Sequence, residues 1–322
     1  MTYSRIAGTG RYLPERVLTN ADLEEKVDTT DEWIRTRTGI EQRHVAADDE
    51  QTSDLCVNAA RAAMEAAGVG VEDIDMVFVG TTSPDLIFPN IATIIQHKMG
   101  IPACPCYAVE AACSGFVYAL SSADKFIRCG DAKRVVVIGA EIITRLIDWN
   151  DRSTCVLFGD GAGAVVLEAA DEPGILSTHL GADGQYQKLL YYPVGVSTDL
   201  AAAGLGDSRI LMSGNDVFKV AVRTLSAVAE EALEANNVTI DALDWLVPHQ
   251  ANLRIIQATA KRLGVSMDKV IQTVQVHGNT SAASIPMAFD VAVRDGRIQR
   301  GQLVLFDAFG GGFTWGSVLL RY

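Results

Sequence analysis

Residues 59–79 (AARAAMEAAGVGVEDIDMVFV) and 228–248 (VAEEALEANNVTIDALDWLVP) superpose without a gap at an offset of 169 positions, from 59 to 228. No other feature restricts the fold as much. Ala60, Ala63, Glu65, Ala66, Val69 and Asp75 meet Ala229, Ala232, Glu234, Ala235, Val238 and Asp244. Both copies read as an alanine-rich helix, a short turn and an apolar strand. The likeness continues beyond them: 91–100 resembles 253–264 as a following helix, and the segment after Cys113 resembles that after Asn279. The later strands 134–141 and 302–310 also pair, as do 161–168 and 312–322. Strand and helix therefore alternate in each half. Runs such as Val135–Ile138 are apolar on both faces, the mark of a strand covered by helices on either side. A duplicated α/β fold follows, with halves of roughly 170 residues, an ordinary domain size. The seam is expected at Asp171-Glu172-Pro173-Gly174, giving halves 1–174 and 175–322.

The 322 residues are 48% hydrophobic and 21% charged, which is the balance of a soluble globular protein. No apolar run reaches membrane-spanning length, and Met1 to Arg11 lacks a basic-then-apolar leader, so a cytoplasmic protein is expected. The six cysteines (56, 104, 106, 113, 129, 155) show no Cys-x-x-Cys spacing and the five histidines are scattered, so no metal site is expected. Cys104 and Cys106 are expected to alternate along a strand as core residues. A net charge of −13 speaks against nucleic acid and anionic membranes as partners. An acidic partner must meet a local basic patch.

Four turns carry chemistry. Cys113 lies in Val-Glu-Ala-Ala-Cys-Ser-Gly-Phe (109–116), where an extended stretch yields to a helix marked by Phe116, Leu120, Ala123 and Ile127 and ending at Arg128 and Gly130. A helix start favours thiolate, so Cys113 is expected to be more acidic than a free thiol of pKa ~8.5; the competing reading is a small buried apolar cysteine. In the second half, the strand 244–247 ends in Pro248-His249-Gln250-Ala251-Asn252, which puts His249 at a strand end facing a crevice. Structural and functional histidines have equal claim to that position. The next helix starts at His277-Gly278-Asn279-Thr280-Ser281-Ala282-Ala283. The repeat sets Asn279 where Cys113 stands in the first half and turns the two helix starts toward each other, although an asparagine there also serves as a plain cap. The fourth turn, 307–316 (DAFGGGFTWG), has three glycines that let backbone N–H groups approach a ligand, as acyl transfer requires. Phe158-Gly159-Asp160-Gly161-Ala162-Gly163 is no dinucleotide fingerprint, because it precedes the strand Ala164 to Leu167 instead of opening a helix.

The runs 111–116 (AACSGF), 247–254 (VPHQANLR), 277–284 (HGNTSAAS) and 308–316 (AFGGGFTWG) together resemble the β-ketoacyl-acyl carrier protein synthase III family. The likeness extends over 8–14 (GTGRYLP), 31–40 (DEWIRTRTGI) and 158–164 (FGDGAGA), hence nearly the whole chain. It implies the thiolase-like duplicated fold, five layers α-β-α-β-α with two pseudo-symmetric halves, and a homodimer. It implies an acyltransferase that starts fatty acid synthesis: Cys113 takes an acyl group from acetyl-CoA or another short acyl-CoA, and His249 and Asn279 assist decarboxylation of malonyl-acyl carrier protein. Claisen condensation then gives acetoacetyl carrier protein and CO2. The oxyanion hole would be the Cys113 and Gly311 N–H groups. Trp33 and Arg152 would sandwich the adenine of coenzyme A, with Thr29 and Arg37 near its nucleotide and phosphates. No cofactor is bound permanently, since acyl-CoA is a substrate. Phe88 resembles the family residue that reaches across the dimer to close the partner's acyl pocket.

Beyond His249, Arg254, Lys261 and Arg262 form a basic stripe on an acidic protein. The acidic carrier protein is expected to dock on Gln250, Ala251, Asn252, Leu253, Arg254 and Lys261, with Arg254 contributing most. Glu110 is expected to face away from Cys113, because a carboxylate beside it would oppose thiolate. Residues 186–209 show no periodicity and are expected to loop over the tunnel. Among rivals, a hydroxymethylglutaryl-CoA synthase needs a general-base acid after the first-half strand, where Gly80-Thr81-Thr82-Ser83 supplies none. A type III polyketide (chalcone-synthase-like) enzyme shares Cys, His and Asn and is harder to exclude, while the basic helix and 31–40 favour a carrier-protein-dependent enzyme. A noncatalytic acyl-CoA binder would not need all three.

Overall fold

The computed structural model describes residues 2–197 and 209–322, so residues 198–208 of the aperiodic stretch lie outside the described residues. In chain order the strands are β1 (Tyr3–Tyr12), β2 (Arg16–Thr19), β3 (Gln42–Val45), β4 (Met76–Gly80), β5 (Cys106–Val109), β6 (Arg134–Glu141) and β7 (Gly161–Ala170). Then come β8 (Ile175–Ala182), β9 (Leu190–Tyr191), β10 (Leu211–Met212), β11 (Trp245–Pro248), β12 (Leu303–Gly310) and β13 (Thr314–Arg321). One sheet runs β1-β7-β6-β4-β5 and the other β11-β12-β13-β8. Pairing is parallel for β4 with β5 and β6, and for β11 with β12; the remaining pairs of the two sheets are antiparallel. The small pairs β2-β3 and β9-β10 stand apart, the latter tying Tyr191 to Leu211 across the aperiodic stretch.

The repeat is visible in three dimensions. The turn Val71–Asp73, β4 and β6 have their counterparts at the same offset in the turn Ile240–Ala242, β11 and β12. The place that β5 takes beside β4 is taken beside β11 by a single parallel bridge, Leu246 to Val270. β7 begins at Gly161, the expected start of the paired strand 161–168.

Side-chain alternation explains the layering. In β6, Val135 and Val137 enter a core between the two sheets, whereas Val136 and Ile138 enter a second core beneath the outer helices. β12 divides in the same way, with Val304, Phe306 and Ala308 turned to the shared core and Leu303 and Leu305 turned outward. Each such side chain stabilises the fold by about 1.5–3 kcal/mol. Helices Gly115–Cys129 and Ser284–Arg294 fill the middle layer, touching strands of both sheets. Thr52–Ala67 and Ile91–Met99 cover one outer face, and Gly214–Ala235, packed against Leu253–Leu263, covers the other. Five layers result, α-β-α-β-α. The inner core draws Phe78 and Phe116 from one half and Phe289 and Phe306 from the other, so the halves share one interior.

The middle layer is tight where the halves meet. A side chain on Gly139 of β6 would stand 2.2 Å from the Ala282 carbonyl oxygen, so the second-half turn can reach β6 only over a glycine.

Candidate active site

Cys113 does not lie within the helix that follows it; it occupies the 3-10 turn Ala112–Ser114, two residues ahead of Gly115–Cys129. Ala112 enters that turn at φ 46, and Ser281 enters the turn Ser281–Ala283 at φ 50. The same offset, 112 to 281, relates them. The structural counterpart of Cys113 is thus Ala282, and Asn279 corresponds to Glu110, which corrects the pairing of Cys113 with Asn279 expected from the repeat. The physical reason is that a left-handed residue, not a polar one, marks the start of each turn. Asn279 does cap, but it caps this turn: its Oδ1 accepts from the Ser281 N–H at 2.9 Å, leaving its Nδ2 amide as the donor for a ligand.

The segment Asn279–Ser284 gathers the three expected residues. Asn279 itself is buried, held by hydrogen bonds from its N–H to the Leu157 carbonyl and from the Gly159 N–H to its own carbonyl. The turn Ser281–Ala283 packs against the turn Ala112–Ser114, close enough for the Ser281 side chain to lower the Cys113 pKa. Ser284 Oγ lies 2.7 Å from Nδ1 of His249 and accepts from the Gln250 N–H at 3.3 Å. The Ser284 hydroxyl is able to donate to Nδ1, and in that arrangement the imidazole proton sits on Nε2. His249 is seated at the end of β11 by its N–H, which donates to the Asp307 carbonyl at 2.7 Å. Burial pushes its pKa down to about 3, so the ring is neutral near pH 7.

The expected acidity of Cys113 is overturned. Burial pushes the thiol up to about 12; the Ser281 side chain and backbone hydrogen bonding lower it less than that, and the Glu141 charge raises it further. The resting residue is a thiol. Against its turn lies the glycine-rich loop: a side chain on Gly310 would stand 2.7 Å from the Cys113 nitrogen. Thr314 Oγ1 donates to the Ala111 carbonyl at 2.8 Å, and Ser114 Oγ donates to the Thr314 carbonyl at 3.1 Å, which fixes loop and turn together. Gly311 is next in this loop, facing Leu190 and Ala112.

Glu141, Ser281 and Ser284 carry contacts that the motifs alone do not assign. Glu141 ends β6 and is fully buried. It accepts hydrogen bonds from the hydroxyls of Thr81, Thr82, Ser83 and Ser281 and from the Thr82 N–H. Burial pushes its carboxyl up to about 7, with the bonds from Ser83, Thr82 and Thr81 holding it back. The turn after β4, acid-free in sequence, therefore does receive a carboxylate, from the neighbouring strand. The only sequence signal was the position of Glu141 at the end of an apolar strand.

Outward from the centre, the Arg152 guanidinium stacks over the half-buried Trp33 ring at 5.0 Å, and Arg37 approaches the same ring at 5.8 Å. The Thr29 hydroxyl is buried without a partner. Glu110 is exposed and accepts from the Ala112 N–H at 3.3 Å. Of the six expected carrier-protein contacts, Gln250 is corrected to an internal role. It is 1% exposed, and its amide bridges the Pro248 and Ile271 carbonyls to the N–H groups of Thr273 and Val274. Asn252 caps the Leu253–Leu263 helix, Ala251 and Leu253 pack against core clusters, and Arg254 and Lys261 are exposed. Phe88 is 83% exposed beside Ile87 and Leu86, far more open than a core aromatic.

A model described as 3-oxoacyl-[acyl-carrier-protein (ACP)] synthase III matches residues 107–184, and one for the C terminal of the same family matches 233–322. A β-ketoacyl-[acyl-carrier-protein] synthase III of Xanthomonas campestris pv. campestris is 63% identical over 320 residues, covering 99% of this chain and 98% of the relative. The crystal structure of 3-oxoacyl-[acyl-carrier-protein] synthase III from Aquifex aeolicus superposes with a TM-score of 0.94 at 45% identity, over 99% of this chain and 100% of that one. A priming β-ketosynthase from the R1128 polyketide pathway superposes with a TM-score of 0.95 at 38% identity, over 99% and 96%.

Proposed function

The chain belongs to the β-ketoacyl-[acyl-carrier-protein] synthase III family, and from that premise we propose that Cys113, His249 and Asn279 condense an acetyl primer from acetyl-CoA with malonyl-acyl carrier protein. The observation that carries the reading is the Asn279–Ser284 segment, which packs against the turn of the thiol, orients the imidazole and supplies the carboxamide.

The Cys113 sulfur attacks the thioester of acyl-CoA, and because one thioester replaces another the acyl group is stored at little cost. Malonyl carrier protein enters after CoA leaves. Loss of CO2 produces an enolate directly, so no base need remove a carbon-bound proton. Neutral His249, protonated on Nε2, and the Asn279 Nδ2 amide donate to the enolate oxygen. The enolate carbon then attacks acyl-Cys113, whose oxyanion is held by the N–H groups of Cys113 and Gly311, each contributing on the order of 3 kcal/mol to the transition state. Acetoacetyl carrier protein departs and the sulfur is restored.

For coenzyme A, Trp33 and Arg152, which stack on each other, part to take adenine between two flat faces, and the unpartnered Thr29 hydroxyl and Arg37 serve the nucleotide. For the acidic carrier, Arg254, Lys261 and Arg262 present exposed cations on one helix. A homodimer is supported by the edge strand β5, where Tyr107 is 38% exposed, and by the apolar Leu86-Ile87-Phe88 run; light scattering on the purified protein tests it. A cytoplasmic setting agrees with the finding that, among the described residues, no helix is long and apolar enough to cross a membrane.

Intact-mass detection of an acyl adduct, combined with separate assays of each step, tests the division of labour. Cys113→Ala abolishes condensation yet leaves some malonyl-thioester decarboxylation, whereas His249→Ala and Asn279→Ala impair decarboxylation more than acyl transfer. Normal condensation by Cys113→Ala would remove the basis of the reading.

A further inference from the structure

The mechanism makes no use of the buried carboxyl of Glu141, although this group holds a hydroxyl of the turn that packs against the nucleophile. Ser281 Oγ donates to Glu141 Oε1 at 3.2 Å, and its turn, Ser281–Ala283, packs against the turn Ala112–Ser114 that carries Cys113. We propose that Glu141, acting through Ser281, receives the Cys113 proton during priming, keeps it while the acyl group occupies the sulfur, and returns it when condensation frees the thiolate. This inference rests on Cys113 being the acylated residue.

In the first step the Cys113 S–H bond breaks, its proton moves to Ser281 Oγ, and the Ser281 hydroxyl proton moves to Glu141. The sulfur pair forms the new C–S bond and the bond to CoA breaks; the departing thiolate takes a proton from solvent. In the second step the enolate carbon bonds to the acyl carbon and the C–S bond to Cys113 breaks. The sulfur pair is protonated by Ser281, which recovers its proton from Glu141. One solvent proton is consumed and one CO2 released per cycle, as decarboxylation of a malonyl carboxylate demands.

Three observations favour Glu141 over His249 as the proton acceptor. His249 has its Nδ1 engaged by Ser284, which leaves only Nε2 for the reaction, and the proposed function assigns that nitrogen the proton donated to the enolate. The four hydroxyls around Glu141 rotate, so they donate to the carboxylate and accept from the carboxylic acid, and both charge states are accommodated. The proton affinities agree: about 7 for Glu141 against about 3 for His249, so the carboxylate is the stronger base at the site. The other titratable groups influencing this carboxyl's surroundings are the Cys113 thiol and, from helix Thr52–Ala67, the Cys56 thiol, pushed well above its ordinary value by burial. Asp85, beyond Cys56, is held by Ser53. Neither thiol is charged near pH 7, so the break in a pH profile belongs to Glu141.

The test measures single-turnover formation of acyl-Cys113 by intact mass across pH 5.5–9, using acetyl-CoA and the full chain. Wild type shows a rise in rate through about pH 7, the value for Glu141. Glu141→Gln slows acylation about a hundred-fold and removes that rise, Glu141→Asp keeps a rise, and Ser281→Ala slows it comparably while leaving the other donors on Glu141 intact. If Glu141→Gln does not fold, Ser281→Ala and Glu141→Asp still decide. Wild-type rate and profile in Ser281→Ala, or a pH break that vanishes in His249→Ala instead, overturns the relay. Absence of any adduct on wild-type Cys113 would instead overturn the proposed function.

Discussion

A left-handed alanine and a left-handed serine decide where the nucleophile and its partners stand. Ala112 and Ser281 cost the chain of order 1–3 kcal/mol each in that conformation, a cost the packed centre must hold in place. Cys113 was legible in sequence because strand gives way to helix there; its acidity was not. A helix start offers about 0.3–1 kcal/mol, whereas three pKa units of desolvation amount to roughly 4 kcal/mol, so burial wins. Burial of one atom depends on contacts far along the chain, and Ser281 and Glu141 are 168 and 28 residues from Cys113 by their numbers. Separation along the chain also hid Ser284, which holds Nδ1 of His249 from 35 residues away. Ser284→Ala frees that ring, and malonyl-thioester decarboxylation falls about ten-fold while single-turnover acylation of Cys113 stays near wild type. Equal losses in both assays would mean that Ser284 supports the turn as a whole rather than the imidazole.

At the scale of elements, periodicity located the Leu253–Leu263 helix and its basic stripe, because amphipathic spacing is a local property. Which polar residues at its entrance face outward is not local. Gln250 looked like a surface residue and proved to be a strut, since its four backbone partners come from β11 and from 271–274. What remains on the surface is cationic: Arg254 lies over the Phe218 ring at 5.6 Å, a contact that holds the guanidinium in place while leaving it exposed, and Lys261 and Arg262 close the last turn. Attraction of an acidic carrier to this face is electrostatic and therefore screened by salt. Arg254→Glu raises KM for the malonyl carrier protein about ten-fold with kcat little changed, and the effect shrinks between 0.05 and 0.5 M salt. A fall in kcat at unchanged KM would move Arg254 from docking to chemistry.

For the whole molecule, the repeat announced two like α/β halves, since each half had to bury the same pattern of helix and strand. What the repeat could not announce is the interior the halves share, nor the polar groups enclosed in it. Asp290 of the middle layer is fully buried and paired with Arg11 and Arg294 and with Thr9, so its charge is compensated. Asp307 of β12 is equally buried, yet neither carboxyl oxygen has a hydrogen-bond partner, and burial raises its pKa well above the ordinary carboxylate value. In the unfolded chain this group titrates near 3.8, so above about pH 4 folding must take up a proton. A group whose folded pKa is raised gives its full stability below the unfolded value and loses it as pH rises. The loss is about 1.4 kcal/mol per pH unit until the folded pKa is reached. His249 and His277, lowered to about 3 and about 4, act with the opposite sign below pH 6.5, but they do so equally in any Asp307 variant. Asp307→Asn removes the proton uptake alone. Urea denaturation from pH 4.5 upward is then expected to show the variant gaining on wild type as pH rises, by about 1.4 kcal/mol per pH unit for as long as Asp307 stays protonated in the fold. Parallel curves would mean that Asp307 is ionised in the fold and has a compensating partner.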